Sequence, residues 1–200
     1  MKAKKTKVVK KAKKVKRAKD DFGVIEDEMN VKQANSRSKR IGQKMLVMRE
    51  QLWPNANDFN LWNRKKRKGF TTMPRNMPLI LQIMDSLSNG KPVSSTYLSL
   101  WCRVFDESMV TITNPMEVAF EVGFRSQRAV NTWAGRMKIL VELGFIDAKE
   151  SSNGPYNYVL IWNPYHVIKK LYEAGKIEEK DYIALSQRAL DIGATDLNDE

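Results

Sequence analysis

Residues 114–132 read NPMEVAFEVGFRSQRAVNT, and their pattern predicts two helices separated by a glycine. Asn114 is a good helix cap, Pro115 suits the first helical position, and Glu117 stands where the carboxylate of a capping box belongs. Gly123 is expected to end this short helix. The predicted apolar contacts of the helix are Ala119, Phe120 and Val122.

A second, longer helix follows the glycine. Arg125 or Ser126 is its predicted cap, and the helix is expected to run to about Leu143. Apolar residues recur along it at steps of three and four, which is typical of a helix face packed in a core. This apolar stripe consists of Val130, Trp133, Met137 and Leu140.

The first turns of the second helix carry polar side chains that are suited to reading DNA bases. Gln and Asn can form paired hydrogen bonds with adenine, as Arg can with guanine. The first turns of a recognition helix are the part that reaches base edges. An ordinary solvent-facing side of an amphipathic helix explains the same residues equally well. The candidate readout residues are Arg125, Ser126, Gln127, Arg128, Asn131, Thr132 and Lys138.

A β-hairpin is predicted directly after this helix. FIDAK has the composition of a strand, ESSNGP that of a turn, and YNYVLIW that of a second strand. The order short helix, turn, long helix and hairpin resembles the winged helix-turn-helix superfamily. Its repressors and its plasmid or phage replication initiators share the run that stands here as MKILVELGFIDAK.

The resemblance covers residues 78–162 and includes a further helix at 94–107. It implies a recognition helix that starts near Arg125 and a wing whose tip spans residues 151–155. The tip has neither Arg nor Lys, and Lys149 at its base is the one cation nearby. A wing that reads the minor groove is therefore not predicted.

Flanking segments complete a predicted fold class that is mainly α with a small β-hairpin wing. The first helix of the core should bury Leu79, Ile83 and Leu87, and MVTIT is a short β-prone run. The helix at 94–107 should be capped by Ser94 or Ser95. Its predicted buried face consists of Leu98, Trp101, Cys102 and Phe105.

The net charge of +12 is unevenly distributed. Residues 1–19 hold eleven Lys or Arg and no acid, which leaves a net charge of +1 for the rest of the chain. Such a segment is expected to be disordered when free and to contact phosphates. A second basic run, Arg64–Lys68, lies between Trp62 and Phe70, an arrangement that suits nucleic acid. The predicted phosphate contacts are Lys10, Lys11, Lys13, Lys14, Lys16, Arg17, Arg64, Lys65, Lys66, Arg67, Lys68 and Lys149.

The predicted domain order has five parts. A disordered Lys-rich tail spans 1–27, a helix and a basic linker span 28–77, and the winged helix-turn-helix domain spans 78–162. Appended helices at 163–193 could form a homodimer or pack on their own core. An acidic disordered end is predicted at 194–200.

The sequence offers little for catalysis. His166 is the single histidine, Cys102 is the single cysteine, and Cys102 is predicted to be a buried thiol. There is no Cys/His cluster for zinc and no Gly-rich phosphate loop, so neither an enzyme nor a cofactor or metal is predicted. No apolar run is long enough to span a bilayer.

The sequence therefore predicts a protein that binds double-stranded DNA sequence-specifically in transcriptional or replication control, on a plasmid or phage by analogy. A cytoplasmic, nucleoid-associated location is expected, or a nuclear one in a eukaryotic host. Two alternatives stay open. One is a basic protein associated with RNA or the ribosome, and the other is a winged-helix scaffold for protein interactions.

Overall fold

A computed structural model of the protein describes residues 39–55 and 61–198, and the chain divides into two compact units, Met1–Asn63 and Arg64–Glu200. The first unit contains helix α1, which spans residues 39–52. The part of this predicted helix that lies before residue 39 falls outside the described residues. Large apolar side chains of α1, among them Met45 and Leu52, are more than half exposed, at 62% and 59%.

The second unit combines helices with one small antiparallel sheet, so the prediction of a mainly α chain with a β-hairpin is confirmed. Its elements in chain order are α2 (Met77–Leu87), α3 (Ser94–Trp101), β1 (Met109–Thr111), α4 (Pro115–Glu121), α5 (Ala129–Glu142), β2 (Ile146–Ser151), β3 (Gly154–Ile161), α6 (Pro164–Glu173) and α7 (Glu179–Ile192).

The sheet has the strand order β1-β3-β2, with β3 paired antiparallel to both neighbours. The run MVTIT provides β1. The hairpin between β2 and β3 is tighter than predicted, because Ser151 pairs directly with Gly154. Gly154 has a φ of +123°, a conformation that side chains rarely adopt, and the Ser151 hydroxyl accepts a hydrogen bond from the Asn153 amide at 3.3 Å. These contacts reduce the turn to two residues.

The hydrophobic core lies between the helices and one face of the sheet. Trp133, Met137 and Leu140 of α5 are buried as predicted, whereas Val130 is half-buried. The ring of Tyr156 on β3 meets the Trp133 ring edge to face, with centroids 5.7 Å apart. This contact fixes the hairpin against α5.

Two predicted core faces are wrong in detail. α2 buries Met77, Ile80, Ile83 and Met84, while Leu79 and Leu87 are only partly covered. α3 ends at Trp101 instead of continuing to 107. The residues after Trp101 are not helical, so they do not share the buried face that was predicted for a longer helix. Cys102 is consequently exposed, and Phe105 is 84% exposed. α3 instead buries Thr96, Tyr97 and Leu100.

The start of α3 is capped by a residue from α2 and not by Ser94 or Ser95. The carboxylate Oδ1 of Asp85 accepts hydrogen bonds from the amides of Val93 and Ser94, at 2.7 and 2.8 Å. A helix begins with amides that lack partners inside the helix, and a carboxylate there also complements the helix dipole.

Replacing Asp85 with Ala should therefore lower the free energy of unfolding by about 1–2 kcal/mol, the usual cost of losing such a cap. Chemical denaturation of the purified variant measures this loss. Ser95→Ala is the matched control, because that side chain is exposed and makes no cap hydrogen bond to α3. Equal denaturation midpoints for the two variants would contradict the assignment.

The C-terminal helices pack on the same core as the helices before them, through buried Ile168, Leu185 and Ala189. The core continues past α7. Leu197 is only 8% exposed, and Asp196 accepts a hydrogen bond from the Asn163 side-chain amide at 2.8 Å. The prediction of a disordered end is therefore wrong for residues 194–198. It was based on their acidic composition and did not take into account that Leu197 could pack on the core.

Candidate nucleic-acid interface

α4 and α5 form a compact pair joined by a turn at Gly123. Asn114 caps α4 as predicted, its side-chain oxygen accepting from the Glu117 amide at 3.4 Å. Gly123 has a φ of +93°, and the Phe124 amide donates to the Ala119 carbonyl at 2.9 Å. This αL ending closes α4 and sends the chain directly into the segment before α5.

α5 begins later than predicted. Its first residue is Ala129, and Arg128 immediately precedes it without a side-chain cap. The Ser126 hydroxyl accepts from the Arg128 amide at 3.3 Å, and the Ser126 carbonyl accepts from Ala129 at 2.9 Å. A hydroxyl bonded to the backbone two residues on favours a turn over a helix. Arg125, Ser126, Gln127 and Arg128 therefore lie in the turn, and Asn131 and Thr132 lie on α5.

The turn and the first turn of α5 together present the predicted polar residues to solvent. Thr132 is the exception, since it is half-buried. Two other residues that were predicted to contact DNA form ion pairs on the protein surface. Lys138 pairs with Glu142 at 3.7 Å, and Lys149 at the base of the hairpin pairs with Asp147 at 3.4 Å. The candidate readout residues that are exposed are Arg125, Ser126, Gln127, Arg128 and Asn131.

The electrostatics of this surface are locally positive. Between Val122 and Val141 the chain has four basic residues and no acid. The two carboxylates of α4 are both held by Arg103, whose guanidinium lies 3.6 Å from Glu117 and 2.6 Å from Glu121. Pairing reduces the repulsion that these carboxylates exert on an approaching phosphate. Over the whole of residues 114–162, five acidic residues balance five basic ones, which conceals this local bias.

Sequence reasoning missed an exposed apolar pair on α4. Phe120 and Met116, one helical turn apart, are 57% and 59% exposed, although Phe120 was predicted to pack in the core. The Arg125 guanidinium lies over the Phe120 ring, 4.8 Å from its centroid, a cation–π contact that orients the arginine. Of the predicted apolar contacts of α4, Ala119 is buried and Val122 is partly buried against the core, and Val118 is buried in addition.

The predicted phosphate contacts outside this surface fall into two groups. All side chains of Arg64–Lys68 are exposed. The segment that follows them is tied to α3, because the Trp101 indole nitrogen donates to the Thr72 carbonyl at 2.9 Å. The tail residues Lys10, Lys11, Lys13, Lys14, Lys16 and Arg17 lie outside the described residues.

Nothing in the described segments suggests a metal centre. No group of three or more His, Cys, Asp or Glu side chains that could hold a metal ion occurs among residues 39–55 and 61–198. His166 lies half-buried at the start of α6. In the same segments no helix is both long enough and apolar enough to cross a membrane.

Comparisons of the chain with models of protein families, with curated proteins and with solved structures return no match.

Proposed function

We propose that the second unit is a winged helix-turn-helix module that binds double-stranded DNA and acts in transcriptional or replication control. α4 and α5 are the helix pair, α5 with the preceding turn enters the major groove, and the β2–β3 hairpin is the wing. The observation that carries the proposal is the division of α5 into two faces. Trp133, Met137 and Leu140 are buried in the core, whereas Asn131 and the polar residues of the preceding turn are exposed.

The chemistry of the exposed residues supports base readout. Arg128 at the N-terminus of α5 and Asn131 in its first turn carry the side chains that form paired hydrogen bonds with guanine and adenine. Arg125 is held over the Phe120 ring, which reduces the conformational entropy that it loses on contacting DNA.

We propose that the hairpin contacts the phosphate backbone and does not read base sequence. Its two-residue turn consists of Ser152 and Asn153, and the nearby Lys149 is paired with Asp147. These polar groups can donate hydrogen bonds to phosphate but supply no arginine for a narrow minor groove. The wing would therefore fix the orientation of the module on the duplex.

Separate Arg128→Ala and Asn131→Ala substitutions test the proposal. Each should reduce the preference for a duplex selected from a random library over random duplex by roughly 1–3 kcal/mol, the value of a paired base contact. Stability should not change, because both side chains are exposed. Competition binding with labelled duplexes measures the preference.

The matched control is Arg188→Ala, which removes an exposed positive charge from α7. It should weaken binding to selected and random duplexes alike, if it has any effect. If neither Arg128→Ala nor Asn131→Ala changes the preference more than Arg188→Ala does, direct readout by this surface is excluded.

A further inference from the structure

A second surface of the same unit combines aromatic rings with a cleft. The cleft has a volume of about 480 Å³ and lies where the segment after the basic run meets the ends of α3 and β3 and the start of α6. We call it the aromatic cleft. Its lining includes four aromatic residues and two carboxylates: Phe70, Trp101, Phe105, Trp162, Asp106 and Asp196.

The rings of this cleft are unusually accessible. Phe105 is 84% exposed, and Trp162 is 49% exposed. Trp101 is fixed at the wall by its hydrogen bond to the Thr72 carbonyl, at 2.9 Å. Large aromatic side chains that stay in water around a concavity are typical of binding sites, because burying them would otherwise stabilise the fold.

The charges around the cleft decide which ligand it suits. Its lining has two carboxylates, Asp106 and Asp196, and the latter accepts a hydrogen bond from Asn163. The five basic residues of Arg64–Lys68 end two residues before Phe70, so the Lys68 Cα lies within about 7 Å of the Phe70 Cα. A basic run that ends this close to the lining of the cleft disfavours a cationic ligand and attracts an anionic chain.

From this arrangement we infer that the aromatic cleft binds an unpaired nucleobase of single-stranded nucleic acid, whose phosphates contact Arg64–Lys68. Phe105 and Trp162 stack on the base. The Asp106 carboxylate accepts a hydrogen bond from an amino group of the base, as acidic side chains do with cytosine. Aromatic stacking beside a basic track is the general mode of single-strand binding. The inference goes beyond duplex binding by α5 and does not depend on it.

The carboxylate predicts a preference between two bases of similar size. Cytosine has an amino group where thymine has a carbonyl, and an acidic acceptor attracts the first and repels the second. The full-length protein should therefore bind an oligodeoxycytidylate of about 12 nucleotides more tightly than an oligothymidylate of equal length. Because the two strands have the same charge, the basic tail contributes equally to both.

Fluorescence anisotropy with labelled oligonucleotides tests the inference. Phe105→Leu keeps an apolar side chain but removes the ring, and it should weaken cytidylate binding roughly 5- to 150-fold, as the loss of one stacking partner does. Asp106→Ala should remove the preference for cytidylate over thymidylate. Leu190→Ala, a change at a 70% exposed side chain on α7, is the matched control and should have no effect.

Two outcomes would overturn the inference, and further measurements identify the kind of strand that is bound. Equal affinity of the parent protein for the two oligonucleotides, or a Phe105→Leu variant that binds like Leu190→Ala, overturns the inference. An oligoribocytidylate arm identifies the source of the strand: tighter binding of the ribose form indicates RNA, and tighter binding of the deoxyribose form indicates DNA. Loss of duplex selectivity in the α5 variants, with cytidylate binding retained, would leave the aromatic cleft in place.

Discussion

Trp133→Ala should lower the free energy of unfolding by about 3–5 kcal/mol, the cost of truncating a large aromatic residue in a packed core. The Trp133 side chain is 2% exposed and meets the Tyr156 ring of the hairpin. Its removal leaves a cavity between α5 and β3, so the mutation detaches the hairpin from the helix as well as reducing burial. Denaturant unfolding followed by circular dichroism measures the loss.

The matched control is Trp162→Ala, which removes the same side chain from a half-exposed position. This control should destabilise the protein much less, because little buried volume is lost. Any failure of Trp133→Ala to bind DNA should follow from unfolding. A Trp133→Ala variant that unfolds like the parent but no longer binds would contradict the orientation of α5.

Deleting residues 1–19 should produce the largest change in affinity for nucleic acid, because this segment has eleven of the basic residues and no acid. Binding to all duplexes should weaken to about the same extent. Each phosphate neutralised contributes about −0.9 to the slope of log affinity against log salt. If the tail contacts six phosphates, the slope becomes shallower by about five. Titrations at several salt concentrations measure the slope.

The control for this deletion keeps the length of the tail and replaces its Lys and Arg residues with Gln. It should behave like the deletion, because the expected effect comes from charge alone. The base preference proposed for the module should survive both changes, since the proposed readout residues lie on α5 and in the turn before it. An unchanged salt slope after deletion would mean that the tail does not contact the nucleic acid.

The sequence predicted best those elements that local signals define. Asn114 and Pro115 mark the start of α4, Gly123 marks its end, and the spacing of Trp133, Met137 and Leu140 identifies the buried face of α5. Each signal acts within one or two helical turns. Such signals depend on steric and hydrogen-bonding preferences of the residue itself and need no knowledge of the packing partner.

The features that the sequence did not predict depend on contacts between distant residues. Asp85 caps a helix that begins nine residues later, and Arg103 holds two carboxylates on α4. The early end of α3 exposes Cys102 and Phe105, and no glycine or proline at that point signals it. The aromatic cleft likewise brings together residues from 70 to 196, which only the folded chain places side by side.

The measurement that tests direct readout most directly is a selection from a random duplex library, performed in parallel with the parent protein and with the double variant Arg128→Ala/Asn131→Ala. We expect the parent to enrich one shared motif and the variant, folded to the same stability, to enrich none while it still retains duplex DNA through its basic segments. Enrichment of the same motif by both proteins, or of no motif by the parent, would contradict base readout by α5 and its preceding turn.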